Sequence, residues 1–82
     1  MNLVDLTEHI IKKIVSSPES VSVKEFETDE ENTIKIEVLI SENDMGKVIG
    51  KNGKIINSIR TIVQASSSLE DNKKVRINVD SY

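Results

Sequence analysis

Cysteine and tryptophan are absent from this 82-residue chain, Phe26 and Tyr82 are its only aromatics apart from His9, and it has one proline and three glycines. Without cysteine there is no disulfide, no thiolate nucleophile and no cysteine metal ligand, so nothing ties the fold to an oxidising compartment. Two aromatics cannot supply the platforms on which some nucleic-acid-binding modules stack successive bases. No apolar run approaches the roughly 20 residues that span a bilayer. The opening MNLVDLTEHI mixes acidic with apolar residues and lacks the basic stretch and apolar run of a signal peptide, so a cytoplasmic protein is expected. The length suits one small domain over residues 1–82 with a modest core.

The net charge of -3 and pI near 5.1 would on average repel a polyanion. The distribution matters more than the mean. Residues 1–45 hold 4 basic and 11 acidic side chains, a net of -7, whereas residues 46–82 hold 7 basic and 3 acidic, a net of +4. From Met45 to Leu69 no acidic residue occurs, while Lys47, Lys51, Lys54 and Arg60 all lie there. A phosphate reaching that segment meets a locally positive field.

Leu3, Leu6, Ile10, Ile11 and Ile14 recur at helical spacing, and Pro18 stops the pattern. Val21 and Val23 alternate with polar neighbours as a first strand; Phe26 breaks the parity, which predicts a bulge or an early end. Thr28 to Asn32 is an acidic turn. Ile34, Ile36, Val38 and Ile40 then alternate with Lys35 and Glu37, the period of a strand with one buried face. Ser41 and Asp44 resemble a helix start, with Met45, Val48 and Ile49 lining a short helix that Gly50 ends. Ile55, Ile56, Ile59, Ile62 and Val63 mark a second long helix running to about Leu69, with Arg60 toward its flank. Val75, Ile77 and Val79 form a last strand after a polar turn. The order α-β-β-α-α-β predicts an α+β fold, with three helices on one face of a three-stranded mixed sheet; the second and third strands are joined by a crossover and can pair in parallel.

All three glycines fall within eight residues, in GKVIGKNGKII. Gly50 and Gly53 flank Lys51 and Asn52 between two helices, where missing Cβ atoms permit a tight turn and close approach by another backbone. Such a loop also directs backbone N–H groups and the positive end of the following helix at whatever docks there, which suits phosphate. A plainer reading has Gly50 capping one helix, Gly53 starting the next, and the lysines solvated. The acid-free basic surroundings favour the phosphate reading.

In element order, and in VIGKNGKII, which meets the pattern V-I-G-x-x-G-x-x-I at each fixed position, the chain resembles the type II KH family. With its leading helix, DMGKVIGKNGK and IRTIV, it is similar in particular to small bacterial single-domain KH RNA-binding proteins of the KhpA type. The resemblance spans the whole chain. It implies that the loop clamps the backbone of single-stranded RNA without doing chemistry on it. On this sequence Lys51 and Asn52 would contact phosphates, and Gly50 and Gly53 would allow close approach. Lys47, Lys54 and Arg60 would add charge, and Ile49, Ile56, Ile36 and Val38 are candidates for an apolar groove floor, with ordinary core as the other reading and, for Ile36 and Val38, at least as strong a one. One copy lacking aromatic stacking should bind weakly, and a second KH module raises avidity. The resemblance points the same way, to a homodimer or a heterodimer with a larger KH protein. It also implies a part in RNA fate or translation, with a link to cell growth and division.

Enzymatic readings find little support. Gly46 and Gly50 are spaced too closely for a phosphate loop of the GxxxxGK[ST] kind, and Asn52 stands where Ser or Thr would bind magnesium. His9 has no nucleophile to serve. The acidic run Glu25, Glu27, Asp29, Glu30 and Glu31 lacks the glycine and spacing of a calcium loop. No cofactor, metal, small-molecule substrate or membrane partner is therefore expected. The alternative is a KH-shaped protein-interaction adaptor with little RNA binding of its own.

Overall fold

The computed structural model describes residues 2–82. Helix α1 spans Leu3–Ile14, strand β1 Ser22–Glu27, strand β2 Thr33–Ile40, helix α2 Met45–Ile49, helix α3 Lys54–Glu70 and strand β3 Lys74–Ser81, with short 3-10 turns at Pro18–Ser20, Glu42–Asp44 and Lys51–Gly53. The sheet order is β1-β2-β3, with β1 antiparallel and β3 parallel to the central β2. The α+β fold with a mixed three-stranded sheet is as the sequence predicts. The parallel pair follows from the crossover through α2 and α3, which returns the chain to the same end of the sheet.

The alternation in β2 sets which face is buried. Ile36, Val38 and Ile40 are fully buried, flanked in register by Val23 of β1 and Ile77 of β3. Leu3 and Ile11 of α1, Val48 of α2, and Ile56, Ile59 and Val63 of α3 close over them. Burying each such side chain is worth about 1.5–3 kcal/mol. Phe26 corrects one expectation. The β1–β2 register runs unbroken from Ser22 opposite Leu39 to Glu27 opposite Ile34, so there is neither a bulge nor an early end. Phe26 lies on the sheet face opposite the core, beside Lys35, and is exposed.

The Ser41 and Asp44 signal also acts differently from expectation. Ser41 makes no side-chain cap bond. Asp44 is buried, and its carboxylate accepts from the backbone N–H of Ser16 at 2.9 Å and Ser17 at 3.1 Å. It thus closes the chain leaving α1, ahead of Pro18, which has no N–H to offer. The Ser16 N–H, with that of Ser17 and the Lys47 charge, outweighs burial and holds this carboxyl below its ordinary value. The short helix preceding the glycine loop is thereby anchored to α1.

Candidate nucleic-acid interface

At the end of α2, Gly50 adopts φ 76°, ψ 175°, and Gly53 φ 74°, ψ 15°. The first lies in a region that is essentially glycine-only. A Cβ on Gly50 would sit 2.7 Å from Ile55 Cγ1. Asn52 between them is also left-handed, at φ 57°, ψ 27°, a conformation Asn tolerates better than most residues. The loop is pinned by Gly50 N–H donating to Gly46 C=O at 2.9 Å and Gly53 N–H donating to Gly50 C=O at 3.2 Å. Lys51 and Asn52 stand exposed at its tip, and Lys54 is exposed in the first turn of α3.

The expected site residues separate into distinct environments. Among the described residues Lys51 and Lys54 form no ion pair, whereas Lys47 turns back to donate to Ser16 Oγ and lies 4.0 Å from Asp44 Oδ1. Ile49 is half-buried beside the loop. Ile56 belongs to the core and supports the first turn of α3 from beneath. Of the two readings of Ile36 and Val38, core holds and groove floor does not: both have no exposed surface, because they face the helices from the central strand.

A surface depression lies elsewhere. Arg60, Thr61, Gln64 and Ala65 of α3, with Val75 of β3, line an open depression of about 470 Å³. At about 1.5 Å rise per residue it begins roughly 10 Å along the helix from Gly53. Polar side chains of α3 bind the outer edge of β3 there. Arg60 donates through Nε and Nη2 to Ile77 C=O at 3.3 and 3.0 Å, and through Nη1 to Asn57 Oδ1 at 3.1 Å. Gln64 accepts from Val75 N–H at 2.8 Å and donates to Lys73 C=O at 2.9 Å. Thr61, Gln64, Ala65 and Val75 were missed by sequence reasoning; the available signal was the Arg60 and Gln64 pair, one helical turn apart on one flank.

Residues 4–79 match the family described as KhpA/KhpB, KH domain. The chain belongs to this KH family. Among curated relatives, RNA-binding protein KhpA of Clostridium perfringens is 44% identical over 75 residues, covering 92% of this chain and 96% of the relative. RNA-binding protein KhpA of Thermotoga maritima is 40% identical over 75 residues, covering 92% and 95%. In fold, the chain is similar to part of Era in a crystal structure with MgGDPNP and a segment of 16S ribosomal RNA, with a TM-score of 0.73 at 22% identity. The match covers 96% of this chain and 29% of that one, so the likeness concerns the fold of a small part of Era. The KhpA/KhpB KH family is not an enzyme family. Its match covers both glycines of the loop, the elements flanking them, and the α3–β3 groove.

Proposed function

We propose that the chain is a cytoplasmic, non-catalytic module that holds single-stranded RNA against Gly50-Lys51-Asn52-Gly53. The observation that carries this reading is the pairing of a backbone-open turn with unpaired cations. Lys51 and Lys54 project at a loop pinned by its own hydrogen bonds, in a segment without acidic residues. Phosphates would meet Lys51, Asn52 and Lys54, with Gly50 and Gly53 permitting approach and Ile49 giving apolar contact. Bases would run toward Arg60 along the α3–β3 groove. Lys47 and Ile56 contribute by holding α2 and α3 in place. The names of the KhpA relatives support RNA as the partner.

The test is binding of short single-stranded RNA to the natural protein and to Lys51→Asp/Asn52→Asp across a salt series, with circular dichroism to verify folding. A lost lysine–phosphate contact should flatten the log–log salt slope by about 0.7. A folded double variant with unchanged affinity and slope would refute the clamp and favour the protein-interaction adaptor.

A dimeric form has its own support. Ile55, Ile62 and Leu69 are exposed on α3, and their seven-residue spacing keeps them on one stripe. Ile62 is the midpoint of Lys54–Glu70. In an antiparallel pairing of two copies, Ile62 would meet its equivalent and Ile55 would meet Leu69 of the partner subunit. A larger KH protein offering a similar helix is the other partner this stripe suits. Doubling the clamp raises avidity for one RNA strand, in keeping with a regulator of RNA fate or translation.

A further inference from the structure

Of the seven asparagines in the chain, only Asn52 is followed by glycine. The peptide nitrogen after an asparagine can attack the side-chain amide carbon to close a five-membered ring. A side chain on the following residue hinders that approach, and Gly53 has none. Asn52 is exposed, and its side chain makes no hydrogen bond among the described residues. Lys51 and Lys54 flank the site without an acidic neighbour in sequence, so the local field favours the deprotonated nitrogen and the anion that forms on attack.

We propose that Asn52 is a site of spontaneous deamidation and that its conversion switches off the loop's hold on RNA; the second half rests on the clamp proposed above. The Gly53 nitrogen loses its proton and bonds to Asn52 Cγ, the Cγ–Nδ2 bond breaks, and ammonia leaves. Water then opens the cyclic imide. Opening at the side-chain carbonyl gives aspartate, and opening at the main-chain carbonyl gives isoaspartate, which reroutes the backbone through the former side chain. No electrons are transferred, and either product carries a carboxylate at the loop tip.

The turn itself restrains the reaction. Ring closure requires the Gly53 nitrogen to eclipse Asn52 Cβ, which moves ψ far from 27° and breaks the Gly53 N–H bond to Gly50 C=O. Conversion therefore proceeds through loop opening, and RNA held against the loop slows it. An unoccupied clamp ages faster than an occupied one.

The experiment incubates the protein at mildly alkaline pH, folded, folded with excess single-stranded RNA, and unfolded in urea, and follows each asparagine by peptide-mapping mass spectrometry. In the folded protein Asn52 should convert ahead of the other six, about tenfold or more slowly than in urea if loop opening limits the rate. RNA should slow it further. Purified deamidated protein and Asn52→Asp should each bind RNA less tightly, on the order of tenfold. No conversion at Asn52 while the urea sample converts fully, or equal rates at other asparagines, overturns the site. Conversion with RNA affinity intact overturns the switch, and Lys51→Ala measured alongside then shows whether the clamp has failed too.

Discussion

The three glycines sit in one short segment yet should respond in three different ways to the same substitution. At Gly50 alanine meets two penalties. The backbone at φ 76°, ψ 175° costs a residue with a Cβ about 1–3 kcal/mol. The added carbon also falls 2.7 Å from Ile55 Cγ1 and 3.0 Å from Ile55 Cβ, and the latter cannot swing away because it is fixed to the α3 backbone. Overpacking of this kind adds about 1–3 kcal/mol. A loss of about 2–6 kcal/mol is expected, a large share of the roughly 4–12 kcal/mol available to a domain of this length. At Gly53 the conformation is left-handed, but a Cβ would lie no closer than 3.6 Å to any neighbour, so alanine should cost only about 1–2 kcal/mol. Gly46 is inside α2, and a Cβ there meets nothing within 4 Å; alanine should stabilise by roughly 0.5–1 kcal/mol. Urea titration of each variant, followed by circular dichroism, measures the series, and at about 4–8 °C per kcal/mol the melting temperatures should separate clearly. A Gly53→Ala loss equal to that of Gly50→Ala, or a destabilising Gly46→Ala, would refute the account.

Asp44 should give the stability a carboxylate signature. Its folded pKa lies below the ordinary 3.8, so its contribution is full above that value and is lost as pH falls through the folded value. Asp44→Asn should be less stable at neutral pH and should remove part of the acid limb of a stability–pH profile; an unchanged limb would discount the Ser16 and Ser17 contacts. Gln64→Ala should cost about 1–3 kcal/mol by leaving the Val75 N–H without its acceptor, with faster amide exchange at Val75; unchanged exchange there would show that the edge is not sealed by Gln64. Ile62→Asp, at an exposed position, should leave the monomer folded but lower its self-association in sedimentation; unaltered association would move the dimer surface away from α3.

Much of the fold was legible in the residues because its signals are local and periodic. The alternation of Ile34 to Ile40, the helical stripe of Ile55 to Val63, and the cluster of three glycines each reflect a repeat that the backbone imposes on whichever sequence adopts it. Their order was enough to predict a mixed sheet covered on one face. The glycine loop was legible for the same reason, since special backbone angles demand special residues.

What the sequence could not convey depends on contacts between residues far apart in the chain. Phe26 breaks the parity of its strand, yet the register opposite Lys35 merely places it on the open face. Asp44 has the spacing of a local helix-start signal, but its partners are Ser16 and Ser17, nearly thirty residues earlier. Ile36 and Val38 carried the same alternation whether they floored a groove or filled a core, and only the helices packed over them decided for the core. The groove wall of Arg60, Gln64 and Val75 exists because α3 and β3 come together, which no periodicity within either element records. Residue chemistry and period determined which elements form and where the backbone turns; the three-dimensional pairing of those elements decided which side chains remain free to meet a ligand.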